Sequence, residues 1–546
     1  MDATDKIFVD GLPQIALPGS GMSILQFGEY MGIGLAARGD IFRRGDALVR
    51  LDDLAKGREL RIIRSAALPS MFEGVGNLGK QSKNGEFVAA ICSEAMARSV
   101  AAAESFLEHI PNIAVLSDAP VLIKRDGKLI EIVGYDRQAG ILAGGSRTPE
   151  MATKDARSLL HRITGDFKFT SDADRSRALS LLLAPVFVRG GLLPSSGRMP
   201  YHVIEADASQ AGKGYLVKIL GAVHRTLPAT ITQKKSGVGG LEESFDTALI
   251  RGHSIILVDN IRGKLDSPRL ESFATEANYM ARQPYSGDVA IDPSRTMVVF
   301  TSNRAEMTID FANRSCRIGI IKQVPGYAFQ RYPEGDVLDH VRARQSEYLG
   351  ALHSLVRAWH ADGEQRMKET RHDFWQWAGV TDWIVQRLLD MPPLLDGHRE
   401  VQRRMATPAI NWIRDVALAV SRAGLLDKVM TANDMVDVIA DVPTIELPGF
   451  REGSDLTDEA VRTTVRTAVG RKLAHVFQNG AGNNSVIIDS FVIRKTVEPE
   501  VNGRDSKQYI FSAASPGTDQ ASDTAIPLIS GENLSRPAGN VKMENL

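Results

Sequence analysis

The chain has 546 residues, with 65 Lys and Arg against 66 Asp and Glu, a formal net charge of −1, 43% hydrophobic and 24% charged residues. That profile predicts a globular protein of three or four domains, and its near-neutral charge excludes a global attraction for nucleic acid, so any such binding must come from local patches. Two cysteines far apart, Cys92 and Cys316, argue against a disulfide framework and against a zinc site.

The start, MDATDKIFVDGLP, has no apolar core behind a basic start, and no apolar run reaches the roughly 20 residues that span a bilayer. A cytoplasmic location without a membrane partner is the expectation. Residues 1–180 read as an α+β domain, with strands at Ala47–Leu51, Val121–Lys124 and Leu129–Val133 and a helical stretch over Glu86–Ile110. Its carboxylates form no paired constellation of a primase or nuclease. Assembly, DNA handling or partner binding is its expected role.

The stretch Tyr201–Leu220, YHVIEADASQAGKGYLVKIL, carries the strongest chemical signal. An apolar strand, His202–Ala206, enters a small polar loop that ends in Gly212-Lys213 and opens into a helical pattern. Backbone N–H groups and a helix N-terminus can cradle phosphates there, with a lysine reaching the terminal ones. The nucleotide-binding set is therefore Asp207, Ala208, Ser209, Gln210, Ala211, Gly212, Lys213, Gly214 and Tyr215. Two residues depart from G-x-x-x-x-G-K-S/T: Asp207 replaces the first glycine, and Gly214 replaces the hydroxyl residue that holds magnesium.

Two further buried-strand patterns follow, each ending in a polar residue. Ser254–Asn260 is SIILVDN and Thr296–Asn303 is TMVVFTSN. In a parallel sheet the loop, Asp259 and Asn303 converge beyond the carboxyl strand ends. Asp259 then holds Mg2+, directly or through water, and Asn303 orients the attacking water or senses the γ-phosphate. Taken singly, Asp259 and Asn303 also read as ordinary strand-end caps. Next comes DFANRSCRI, whose Arg314, or failing it Arg317, suits a finger reaching a neighbour's nucleotide. A surface arginine paired with Asp310 is the plainer alternative.

The segments ADASQAGKG, SIILVDNIRGKLDSPRLESF, MVVFTSNR and DFANRSCRI together resemble AAA+ helicase-like ATPases of phages, plasmids and mobile genetic elements, of the superfamily-3 or MCM-like, phage primase–helicase type. ATEANYMARQ and the upstream IPNIAVLSDAPVLIKRDGKLIEIVGYDRQAGIL resemble them too. The resemblance covers roughly residues 40 to 330. It implies an α/β fold: a P-loop AAA+ parallel-sheet core over residues 181–330, followed by a helical lid over 331–450. It also implies ATP and Mg2+ as cofactors, a ring oligomer, a hexamer, and DNA as partner, with replication proteins as further partners. Where such proteins carry a carboxylate that polarises water, this chain has Asn260, so ATP binding is better supported than rapid hydrolysis. Glu242 and Glu243 are candidate substitutes.

Three basic patches are the DNA-binding candidates. The first is Thr232–Gly240, with Lys234 and Lys235. The second is Tyr279–Gly287, which resembles an insertion hairpin, with Arg282 for phosphate and Tyr285 for stacking. The third is C-terminal: a helix over Glu459–Gln478, a strand over Ser485–Val497, a turn at Val501–Arg504 and a return over Gln508–Ser512. That outlines a winged helix over 451–514, with Arg494, Lys495, Arg504 and Lys507 on or near the wing. Between core and wing, Asp336–Ala361 and Asp373–Leu389 read as helices, and Arg387, Arg399, Arg403 and Arg404 are candidates for a second sensor. Residues 515–546 read as a disordered tail. The whole predicts an oligomeric DNA motor, a replicative helicase or helicase loader of a mobile element. The alternative is an ATP-binding switch or scaffold that assembles and recruits partners without unwinding.

Overall fold

Runs of β-branched and aromatic residues between polar turns build the central sheet. The computed structural model describes residues 9, 11–19, 21–54, 57–82, 84–194, 197–206, 209–232, 240–261, 264–283, 287–303, 306–368, 372–406, 408–442, 445–450, 454–478, 484–488, 491–498 and 506–513. It divides into two compact units, Met1–Thr407 and Pro408–Leu546.

In the first unit, helix α1 (Thr153–Thr164), strand β1 (Lys168–Phe169) and helix α2 (Asp172–Gly190) lead into β2 (Tyr201–Ala206) and α3 (Lys213–Val223). Strand β3 (Ala229–Thr232), α4 (Leu241–Ile250), β4 (Ile255–Ile261) and α5 (Pro268–Thr275) follow. A hairpin of β5 (Tyr279–Gln283) and β6 (Gly287–Ile291) precedes β7 (Met297–Ser302), α6 (Ile309–Asn313) and β8 (Ser315–Ile321). The six-stranded sheet runs β1-β8-β2-β7-β4-β3, parallel except for the antiparallel edge strand β1. Both β2 and β7 are buried along their whole length, as expected of parallel strands covered on both faces. Strand β3 was not anticipated. It is short, and it forms the far edge of the sheet.

The expected boundary at 180/181 falls inside α2, a helix buried almost all round and packed in the same core as β2, β4 and β7. A second tie is Arg44: it is buried, and it donates to Ala114 O at 3.0 Å and to Leu249 O of α4 at 2.9 Å. Leaving those carbonyls and that guanidinium unpaired would be costly, so the N-terminal region does not separate cleanly from the sheet. It nevertheless has its own aromatic core, where Phe72 lies 5.9 Å from Phe27 and 6.0 Å from Phe106. The helix expected over Glu86–Ile110 is broken into a strand, Phe87–Ala89, and two short helices, Glu94–Ala101 and Glu104–Leu107.

After the sheet come α7 (Val337–Ala343), α8 (Gln345–Ala361), α9 (Trp375–Arg387) and α10 (His398–Ala406). The span Asp336–Ala361 is thus two helices meeting at Arg344, with Asp336 capping the first.

The second unit starts at Pro408, not at residue 451. It comprises α11 (Pro408–Arg422), β9 (Val429–Thr431), α12 (Ala432–Ala440), α13 (Glu459–Gln478), β10 (Ser485–Ile488), β11 (Phe491–Glu498) and β12 (Ser506–Ala513). Ile413, Val416 and Val420 of α11 share one core with Val465, Val469 and Leu473 of α13 and with Tyr509 and Phe511 of β12. That shared burial is why the helix joins the C-terminal unit. The antiparallel sheet runs β9-β12-β11-β10. The single strand expected over Ser485–Val497 is instead two strands paired with each other, Ile488 opposite Phe491. The expected tail lies outside the described residues.

Candidate functional site

The loop after β2 turns on two left-handed residues, Gln210 at φ +62° and Gly212 at φ +102°. Such changes of backbone hand turn successive N–H groups into a concavity suited to anions. Gly212 is also held by space, because a Cβ there would lie 3.2 Å from the Phe167 ring. Asp207 and Ala208 lie outside the described residues; Ser209 and Gln210 are exposed and Ala211 is half-buried. Gly212 caps α3, and the first N–H groups of that helix, beginning at Lys213, have no carbonyl within the helix to bond. Their partial positive charge adds to that of the lysine. At Gly214 a Cβ would meet no heavy atom within 4 Å. The missing hydroxyl therefore reflects the residue and not a lack of room.

Lys213 Nζ donates to Asn303 Oδ1 at 2.5 Å. Asn303 directly follows β7, the strand between β2 and β4, so the two residues meet across the ends of neighbouring strands. One strand further on, Asp259 lies in a β-bulge, where the register between β4 and β7 shifts between Val258 and Ile261. Asn260 has φ +54°, uncommon for a residue with a side chain. The bulge re-aims both side chains at the strand end. Thr301 fastens it: its hydroxyl donates to Asp259 Oδ1 at 2.5 Å and accepts the Asn260 N–H at 2.8 Å. Asp259 is half-buried, whereas Asn260 and Asn303 are exposed. Asp259 and Gly214 also line a cavity of about 1160 Å³ alongside α3, with Lys218, Arg225 and Arg58.

Two groups were not singled out in the sequence. Thr301 is one. The other is an aromatic border to the loop: Phe167 lies 5.9 Å from Phe169 and 6.4 Å from Tyr215. Tyr215 accepts the Leu338 N–H at 3.2 Å, and burial, reinforced by the neighbouring Asp336, pushes its phenol up to about 12. It stays protonated, and it joins α3 to the start of α7.

The two candidate fingers have different surroundings. Arg314 is half-buried after α6 and donates to Glu271 O at 3.2 Å. Arg317 does not suit a finger. It is buried within β8, where Nε donates to Glu205 Oε2 at 2.9 Å and Nη1 to Asp174 Oδ1 at 3.4 Å. Asp174 also accepts from Arg177 at 2.9 Å and from the Gly319 N–H at 2.7 Å. Arg317 therefore belongs to an interior ion network that joins α2, β2 and β8. Glu242, at the start of α4, accepts from Ser267 Oγ at 2.8 Å, and Glu243 lies in the same first turn.

Of the DNA-binding candidates, Lys234, Lys235, Tyr285 and Arg504 lie outside the described residues. Arg282 is exposed near the tip of the β5–β6 hairpin, opposite Asp288. Asp246 braces β5 of that hairpin, accepting from Tyr279 Oη at 2.7 Å, from the Arg282 N–H at 2.9 Å and from Arg269. Arg494 is exposed and Lys495 half-buried on β11, an interior strand of its sheet. Arg387 and Arg399 are exposed on α9 and α10, and the side chains of Arg403 and Arg404 lie outside the described ones. Among the described residues no group of three or more His, Cys, Asp or Glu is placed to hold a metal ion, and no helix is long and apolar enough to cross a membrane.

No protein-family model matches this chain, and no curated protein matches it. Among solved structures the chain is similar to the apo A form of the NrS-1 C-terminal region, at 11% identity and TM-score 0.32 over 88% of this chain and 98% of that one. It is also similar to the SCCmec type IV Cch active helicase, at 12% identity and TM-score 0.31 over 82% and 81%. With the JCV helicase it shares 9% identity and TM-score 0.20 over 47% and 73%. These likenesses are remote, and the functional reading rests on the site itself.

Proposed function

We propose that the chain is an oligomeric ATPase of the AAA+ type that couples ATP to movement on DNA, as a replicative helicase or helicase loader of a mobile element. The observation that carries this reading is the meeting of Lys213, Asn303 and Asp259 at the carboxyl ends of three adjacent parallel strands, the place where open α/β sheets bind ligands. The residues fit a magnesium–nucleotide: a left-handed loop of N–H groups, a lysine, open space beside Gly214, and a carboxylate fixed by Thr301. When bound, ATP supplies a transferable phosphoryl group, and Mg2+ neutralises charge on it.

The chain's own groups divide the remaining work. Gln210–Gly214 and the α3 N-terminus hold the phosphates, and Lys213 neutralises their charge. Asp259 holds the metal directly or through water. Asn303 orients water and, through Lys213, reports whether phosphate is present. Arg314 acts in trans on a neighbour's nucleotide, within a hexameric ring. The phosphate loop is bordered by Phe167, which offers a face for the base. The helical segment after the sheet serves as lid, and the second unit as a winged helix.

A second reading is an ATP-binding switch that recruits partners and turns over slowly. Gly214 and Asn260 favour it, since neither supplies the hydroxyl or the carboxylate that speeds hydrolysis. ATP turnover with and without single-stranded DNA separates the two. DNA-stimulated turnover supports the motor, whereas ATP binding without turnover supports the switch.

A further inference from the structure

A groove in the second unit is built from α13, the first residues of α12 and strand β12, with a volume of about 560 Å³. Arg466 and Arg471 of α13 and Lys507 of β12 line it, all three exposed, and none of the described lining residues is acidic. Other cations of the same helix are already paired: Arg462 with Asp437 at 2.8 Å, and Lys472 with Glu446 at 2.8 Å. Arg466, Arg471 and Lys507 make no ion pair among the described residues. Three like charges facing one groove repel one another, and an anion relieves that cost.

Two further features describe what the groove takes. Between the arginines α13 presents Gly470, where a Cβ would meet only Ala432 Cβ, at 3.9 Å. A bulky ligand backbone can therefore approach the helix closely. Tyr509 lines the same groove, is 1% exposed, and its hydroxyl has no hydrogen-bond partner among the described residues. A buried hydroxyl without an acceptor is costly, and an oxyanion in the groove would supply one. Arg466 and Arg471 are five residues apart, about 7.5 Å along the helix, roughly two phosphate steps of about 3.4 Å along one DNA strand.

We infer that this groove binds the phosphodiester backbone of duplex DNA, with Arg466, Arg471 and Lys507 as its phosphate-binding residues and Gly470 as the point of close approach. Of the wing cations expected from the sequence the groove contains Lys507, whereas Arg494 and Lys495 lie on β11. The inference deepens the DNA-motor reading but needs no nucleotide.

The test uses the full chain without ATP and a short labelled duplex, with binding followed by fluorescence anisotropy across a salt series. Arg466→Ala/Arg471→Ala is expected to weaken binding by about tenfold or more and to lower the slope of log K against log salt by about 2, one unit for each phosphate left without its arginine. Gly470→Glu, whose Cβ meets only Ala432 Cβ at 3.9 Å, is expected to weaken binding similarly, while Gly470→Ala retains it. Unchanged affinity and slope in the arginine and glutamate variants overturn the inference, as does a parent chain that binds no duplex or prefers a single strand of the same sequence. The motor reading fails separately, on the absence of ATP turnover in the parent chain.

Discussion

Lys213 and Asn303 are 90 residues apart in the chain, yet the lysine ammonium donates to the asparagine carboxamide at 2.5 Å. A neutral acceptor holds the cation in place without competing strongly for it, so a phosphate can still draw it away. Replacing that acceptor by a carboxylate changes the balance. Asn303→Asp is expected to lower ATP affinity by about tenfold or more, a difference of about 1.4 kcal/mol, because the lysine then has an anionic partner. Asn303→Ala should leave affinity near the parent's and reduce turnover. Equilibrium titration with a fluorescent ATP analogue, read beside turnover, separates these outcomes.

Gly214 is a position of the loop where a missing function can be restored without repacking. A Cβ there meets nothing within 4 Å, so Gly214→Ser should fold normally and place a hydroxyl near Asp259. The expected outcome is a several-fold rise in Mg2+-dependent turnover with little change in thermal stability. Turnover at or below the parent's would show that metal binding does not limit this chain.

Arg314 and Arg317 offer a paired test, because their surroundings differ so sharply. Arg314→Ala should preserve stability and ATP binding while lowering turnover by about a thousandfold, the lower end for a missing arginine finger. Parent turnover should also rise more steeply than in proportion to protein concentration. Arg317→Ala removes a buried cation that Glu205 and Asp174 share, with Asp174 keeping Arg177, and it should destabilise the chain by about 3–5 kcal/mol. Chemical denaturation and turnover measured on both variants distinguish the roles.

Acid should destabilise the first unit through its buried histidines. His202 is fully buried in β2, with neither ring nitrogen hydrogen-bonded among the described residues, and its ring sits edge-on to Trp377 at 6.0 Å. Burial, with His372 nearby, pulls its pKa down to about 3. The unfolded chain takes up this proton near pH 6.5, and the folded chain refuses it until about pH 3. Stability is therefore complete above pH 6.5 and falls on acidification across that window, by up to about 1.4 kcal/mol per pH unit from this residue. His202→Leu should flatten the dependence of Tm on pH between 6.5 and 4. An unchanged slope would assign the acid sensitivity to other groups.

The residues legible in the sequence were those at the ends of continuous apolar runs. Lys213, Asp259 and Asn303 each follow such a run, and a parallel sheet brings run ends together wherever they lie in the chain. Thr301 and Phe167 were not legible. The importance of Thr301 comes from a bulge in the neighbouring strand, and that of Phe167 from its approach to Gly212 across the fold. Arg317 reads like Arg314 in sequence, since both follow the third apolar run, and only burial against Glu205 separates them. Two expected limits, at 180/181 and at 451, fall inside a helix and inside a compact unit for a related reason. Helix α2 is apolar over most of its length because it is enclosed, and α11 shares a core with Tyr509 and Phe511, about 100 residues downstream.

The most direct test of the account is ATP turnover by the purified full chain, with and without single-stranded DNA, beside Lys213→Ala. The account predicts turnover that DNA stimulates and that the Lys213 variant loses along with ATP binding, while its thermal stability stays near the parent's. Tight ATP binding without turnover in either condition would contradict the motor and favour the switch, and turnover that survives in the Lys213 variant would contradict the assignment of the site.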